Sequence, residues 1–166
     1  VNGLTLHNFY VPAGGDEPDI DKNPKFSHKL NFIAEMTKHF SQQQPFRSIL
    51  VGDLNIAPLA EDVWSTRQLR NTVSHTAIER ENLSALVEQG GWLDSVRTHF
   101  GPKEVLFSWW SYRARDWVTS NRGRRLDHIW VSRDLASKVE AVTIESALRG
   151  AEKPSDHVPL TITLQP

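Results

Sequence analysis

The chain has 166 residues, 39% of them hydrophobic and 23% charged, with a formal net charge of -1 at pH 7. That is enough for one domain with a real core, and it excludes a polycation, so any nucleic-acid contact must come from a local patch. There is no cysteine, which excludes disulfides and thiolate metal sites and leaves oxygen and imidazole ligands. No apolar run approaches a membrane span, and no signal-peptide pattern opens the chain.

In chain order, residues 3–11 read as a strand, with Leu4 and Leu6 on one side. A chain that opens this way is expected to begin inside a longer fold. Residues 13–23 carry Gly14-Gly15, Pro18 and several acids, and read as a mobile surface loop. A helix is predicted over 24–40, with Pro24 in its first turn and Phe26, Leu30, Ile33 and Phe40 at helical spacing. A strand follows at 47–52, and a weaker helix is expected within 60–71. A further helix spans 78–89 and is stopped by Gly90-Gly91. Strands are predicted at 105–110, 125–132, 139–146 and 159–164. Mixed helices and strands, with strands in succession near the end, define an α+β or mixed α/β class.

Five segments carry chemistry. In Gly52-Asp53-Leu54-Asn55-Ile56-Ala57-Pro58, Asp53 and Asn55 stand at i and i+2, so an extended backbone turns both toward one face. The pair either closes the strand as an Asx-turn or positions water, a cation or a phosphate oxygen. Ser155-Asp156-His157 precedes the last strand; it is either a polar loop or a carboxylate beside an imidazole suited to proton transfer. Asp127 lies on the apolar side of its strand with Ile129 and Val131. Burying it requires a partner, either a histidine or one of Arg124 and Arg125. Residues 113–125 hold five arginines and one acid beside Trp109, Trp110, Tyr112 and Trp117. That composition fits phosphate gripping and base stacking, or an ordinary loop with buried tryptophans. Tyr10 ends the first strand and either donates to a phosphate oxygen or caps the core. The remaining histidines, His7, His28, His39, His75, His99 and His128, read as surface or packing residues.

Taken in order, Gly-Asp-Leu-Asn-Ile-Ala-Pro, Ser-Trp-Trp-Ser-Tyr-Arg, Asn-Arg-Gly-Arg-Arg-Leu-Asp and Lys-Pro-Ser-Asp-His resemble the endonuclease/exonuclease/phosphatase superfamily. The resemblance is to its exonuclease III branch of abasic-site DNA repair enzymes and runs from Leu4 to Leu164. It implies the later half of a four-layer α/β sandwich of the DNase I-like type, mainly antiparallel with flanking helices. Residues 1–166 would then be the carboxy-terminal portion of one such domain, without the half that supplies a glutamate metal ligand.

The resemblance also implies roles. His157, oriented by Asp127, stabilises charge on the scissile phosphate. Asp53 positions the attacking water, and Asn55 holds a phosphate or metal-bound oxygen. Tyr10 and Asn121 hydrogen-bond the phosphate. Asp156 joins Asp53 and Asn55 around Mg²⁺, or Mn²⁺. Trp109 and Leu126 wall a pocket for a base-free sugar, and Arg113, Arg122 and Arg124 contact the DNA backbone. Arg124 stands where some eukaryotic relatives have a large apolar residue. The implied activity is metal-dependent hydrolysis of DNA at abasic sites or 3′ ends, in the cytoplasm and at the nucleoid in a bacterium. This chain alone is expected to be inactive, with possible self-association through an open sheet face. The alternatives are a phosphatase or phospholipid phosphodiesterase of the same superfamily, and a non-catalytic DNA-binding fragment.

Overall fold

The structure, a computed structural model, describes residues 3–114 and 116–165. In chain order its elements are β1 (Thr5–Asn8), α1 (Pro24–Gln42), β2 (Ser48–Asp53), α2 (Thr66–Leu69), α3 (Ala77–Gln89), β3 (Trp92–Asp94), α4 (Ser95–Phe100), β4 (Trp109–Trp110), α5 (Trp117–Ser120), β5 (Gly123–Arg124), β6 (Asp127–Ser132), β7 (Val139–Ile144) and β8 (Leu160–Leu164). The main sheet has the order β1-β2-β6-β3. β1 runs parallel to β2, while β6 is antiparallel to both β2 and β3. β4 with β5 and β7 with β8 form two further antiparallel pairs. The fold is mixed α/β with mainly antiparallel strands and flanking helices.

α1 starts where Asn23 accepts a hydrogen bond from the Lys25 amide and Pro24 takes the first helical position. Its inner stripe, Phe26, Leu30, Ile33, Met36 and Phe40, is buried. α3 opens on a capping box: the Glu79 amide donates to the Thr76 hydroxyl, and the Thr76 amide donates back to the Glu79 carboxylate. Its Leu83 and Leu86 meet Leu50, Trp92 and Trp130 of the sheet in one cluster. Each such side chain contributes roughly 1.5–3 kcal/mol on burial. The opposite sheet face is partly open at β1, where Leu6 is 57% and Tyr10 66% exposed.

The expected elements recur, with changes imposed by tertiary contacts. The strand predicted at 105–110 is confined to Trp109 and Trp110. Before it, the amides of Leu106 and Ser108 donate to the carbonyls of Glu61 and Arg124 instead of extending that ladder. The helix expected within 60–71 is broken into a 3₁₀ turn, Ala60–Asp62, and the short α2. Between them Val63 bridges to Arg124, and the Trp64 amide donates to the Gly123 carbonyl. β3, β5, α4 and α5 were not foreseen. The two helices are capped by Asp94, which accepts from the Arg97 amide, and Asp116, which accepts from the Thr119 amide. Residues 13–23 depart from a loose surface loop. The Asn23 amide group donates to the Gly14 and Glu17 carbonyls, and the Lys29 ammonium donates to the Ala13 carbonyl.

Candidate active site

Asp53 ends β2 and lies directly opposite Asp127, the first residue of β6. Gly52 makes this strand end possible. Its φ is +138°, and a Cβ there would come within 1.9 Å of the Phe9 carbonyl oxygen. Of the two readings of Asp53 and Asn55, the Asx-turn is formed. Asp53 Oδ1 accepts from the Asn55 amide at 2.9 Å, closing an Asx-turn, with Asn55 in the left-handed region at φ +52°. The Asn55 Nδ2 donates to Asp53 Oδ2 and to the Val11 carbonyl, and its Oδ1 has no hydrogen bond among the described residues.

His157 arrives from the other side. Residues 156–158 zip antiparallel to 108–110: the Trp110 amide donates to the Asp156 carbonyl, and the Val158 amide donates to the Ser108 carbonyl. This register aims the imidazole at Asp127, to which Nδ1 donates at 2.8 Å. Nε2 then faces Asp53 Oδ2 at 3.9 Å. Asp127 is therefore partnered by a histidine rather than by Arg124 or Arg125.

The hydrogen bond that His157 donates to Asp127 holds its pKa above the ordinary value; burial works against it, and the carboxylate charges add to it. Burial raises the pKa of Asp53, the Asn55 amide opposes this, and the charge of Asp127 adds to the rise. Ligand atoms of Asp53, Asp127 and His157 lie within 4.8 Å of one another. Two carboxylates and one imidazole leave an excess of negative charge, and Asn55 adds a free amide oxygen. That donor set suits a hard, oxygen-preferring divalent cation.

Asp156 does not join the group. Adjacent residues of an extended segment point to opposite faces; with His157 turned toward Asp127, Asp156 turns away and accepts from the Trp109 indole at 3.0 Å. Asn121 also lies elsewhere. It ends α5 at φ +40°, accepts from the Trp110 indole, and lines a separate apolar groove with Phe107 and Trp117. Tyr10 is exposed between Phe9 and Val11, whose amides donate to the Val51 and Asp53 carbonyls. Phe9 packs into the core, so Tyr10 points to the face that carries Asp53.

A cleft of about 690 Å³ opens beside the group. Asn55 and His157 line it, as do Trp109, Arg113, Arg122, Arg124 and Leu126. Arg115 of the basic run lies outside the described residues. Residues that sequence reasoning missed complete the site. Trp64 lines the cleft with the Arg122 guanidinium 4.7 Å from its ring centre. Ser108, fully buried, accepts from the Leu126 and Asp127 amides at 3.0 Å each and so fixes Asp127. Lys29, also fully buried, donates to the Asn55 carbonyl at 2.8 Å and pairs with Glu79 at 2.6 Å. The amphipathic spacing of α1 placed a lysine among core positions, the one signal that could have drawn attention to it.

The site thus combines an acid–amide turn on one strand tip, an acid on the neighbouring tip and an imidazole between them, a donor set that could hold a divalent cation. The chain belongs to the endonuclease/exonuclease/phosphatase family, whose sequence profile matches residues 27–157. It is 31% identical over 168 aligned positions to exodeoxyribonuclease III of Haemophilus influenzae, covering 95% of this chain and 60% of that protein. It is 34% identical over 137 positions to an exodeoxyribonuclease of Bacillus subtilis, covering 81% of this chain and 49% of that one. The solved structure of an AP endonuclease from Archaeoglobus fulgidus superposes with a TM-score of 0.90 at 30% identity, covering 99% of this chain and 62% of that one. The chain thus spans about half to three-fifths of the length of these relatives.

Proposed function

We propose that this protein hydrolyses phosphodiester bonds in DNA with the help of Mg²⁺, or Mn²⁺, acting at abasic sites or 3′ ends as exodeoxyribonuclease III and AP endonucleases do. The observation that carries the reading is the Asp53–Asp127–His157 group, within 4.8 Å, opening onto a cleft lined by arginine and tryptophan. Asp53, Asn55 and Asp127 would hold the cation, which when bound neutralises charge developing on the phosphate. Asp53 takes the proton of the attacking water. His157, kept protonated and oriented by Asp127, donates to a phosphate oxygen, and Tyr10 donates to another. Water oxygen bonds to phosphorus, the P–O3′ bond breaks, and O3′ takes a proton from solvent water and leaves as a hydroxyl. Arg113 and Arg122 grip flanking phosphates.

In the same reading residues 1–166 form the carboxy-terminal portion of a larger domain. The exposed Leu6 and Tyr10 face would meet either the rest of that domain or a second copy. The site of action would be the cytoplasm, at the nucleoid in a bacterium. Among the described residues, no helix is long and apolar enough to cross a membrane.

The test is cleavage of a duplex with one abasic site by this chain, with Mg²⁺, with chelator and with His157→Ala. Chelator-sensitive cutting abolished by the substitution is the expected result for a self-sufficient site. If a folded chain does not cut, the assay is repeated with the chain extended to the length of its relatives. Failure there too would overturn the nuclease reading and leave a DNA-binding role.

A further inference from the structure

Five buried side-chain nitrogens have no hydrogen-bond partner among the described residues: the Nε of Arg80, Arg97 and Arg124, and the indole Nε1 of Trp92 and Trp130. Arg124 lines the catalytic cleft. Three of the other four meet elsewhere, in two adjoining hollows along α3. One, of about 250 Å³, has Leu59, Leu83 and Val87 in its apolar wall and Arg97 and Trp130 beside them. The other, of about 420 Å³, is lined by Arg80. Pro58, Ser84 and Glu88 border both hollows, and neither shares a residue with the catalytic cleft. Leu83 and Trp130 belong to the core beneath α3, so the hollows lie on the helix-covered face of the sheet.

Charge and hydrogen bonding are both incomplete here. Arg97 is held by Asp62, and Arg125, which also lines the first hollow, by Asp62 and Asp94. Arg80, on the first turn of α3, has no ion pair or side-chain hydrogen bond among the described residues. Three guanidinium groups thus stand against the two carboxylates Asp62 and Asp94. Glu81 and Glu88 also border the hollows, but they are exposed and screened by solvent. Every unpartnered group is a donor, in two places, next to an apolar wall. A ligand that fits both features has an apolar body and acceptor oxygens. A carboxylate is the acceptor that also supplies the missing charge. We infer that the hollows along α3 form a second binding site, for a small apolar carboxylic acid that carries a further acceptor oxygen. Its carboxylate pairs with Arg80, its body covers Leu59, Leu83 and Val87, and its second oxygen accepts from the Trp130 indole or from Arg97 Nε. The inference is independent of the nuclease reading.

The test is an NMR titration of the 15N-labelled chain, read at the assigned indole resonances. The probes are 3-benzoylpropionate, its primary amide, and 4-phenylbutyrate, which lacks the keto oxygen. The keto acid should shift the Trp130 indole resonance saturably, with Kd on the order of 1 mM, the range for a ligand of this size. The amide should bind about tenfold more weakly, the scale of one charge-assisted contact, and 4-phenylbutyrate should also bind less tightly. Arg80→Met keeps the stem of the side chain and should weaken the keto acid about tenfold while leaving the amide unchanged. Ser84 is exposed and borders both hollows, so Ser84→Phe should fill them and abolish binding. Both variants are compared only where their spectra show the native fold. A Trp130 resonance that no probe moves would overturn the inference and leave the hollows to water. Equal binding of the three probes would overturn it too, as would unchanged binding of the keto acid by Arg80→Met or by Ser84→Phe.

Discussion

Two charge clusters hang on the segment 125–128, and they are built on opposite principles. Arg125 and His128 turn into a buried network. There Asp62 accepts from Arg125 Nε at 2.5 Å and from Arg97, while Arg125 reaches Asp94 at 2.8 Å. Asp127, between them, turns to the cleft and meets Asp53 and His157. In the first cluster every charge has a match. Burial opposes the Asp62 carboxylate, yet Arg125 and Arg97 hold its pKa below the usual range. In the second, two acids share one imidazole, and the Asp53 pKa is raised. Matched charges fix the fold; unmatched charges, half open to water, are free to bind a cation and move a proton.

The contrast is sharpened first by Asp62→Ala. It leaves Arg97 without a carboxylate and Arg125 with Asp94 alone, and should cost about 3–5 kcal/mol of stability in urea unfolding. A loss below about 1 kcal/mol would remove the structural role given to the network. Next comes His157→Ala in a chain shown to cut DNA. Cleavage should fall by about 10²–10⁴-fold with the unfolding midpoint nearly unchanged. A matching loss of stability would make His157 a structural residue like those of the first cluster.

The two histidines differ in sign. His128 is buried, donates from Nε2 to the Ile56 carbonyl and receives Arg125 at Nδ1, so it stays neutral, with its pKa pushed down to about 4 by burial and by Arg125. The unfolded chain therefore takes up a proton that the native state refuses. Stability should fall by about 3 kcal/mol as pH drops from 6.5 to 4. His128→Gln should flatten that slope, and an unaltered slope would locate acid sensitivity elsewhere. His157 runs the other way. Its pKa is raised, so its contribution is complete below pH 6.5 and is lost as pH climbs through the raised value. The half-open setting, screened by solvent, keeps this effect well below that of His128. Comparison with His157→Asn over the same range reads it out; a gain with rising pH would reverse the assignment of charge.

Much of this was legible before any coordinates. The α1 stripe, the Gly90-Gly91 stop of α3 and the alternation of β6 are local patterns, and local patterns survive folding when the core agrees with them. The strand tips bearing Asp53 and Asp127 were legible for the same reason. The places where the reading failed are places where distant segments compete. Residues 60–71 lost a continuous helix because Val63 and Trp64 pair with 123–124. Asn121, read as a phosphate contact, accepts from the Trp110 indole and lines a separate groove, a placement that no local pattern indicates.

The sequence by itself determined the family, the two long helices, the strands that carry Asp53 and Asp127, and which residue types could do the chemistry. Those follow from periodicity, capping and motif order, which need no long-range information. Only the tertiary structure decided that His157 and not Asp156 turns toward Asp127. It also decided that Ser108 and Lys29 fix the site from behind, and that the Arg124 guanidinium stands over the Trp109 ring. Side-chain direction is set by the register in which 156–158 meets 108–110 and 123–124 meets 109–110. Such registers are chosen by packing across the chain, where neighbours in space are far apart in sequence.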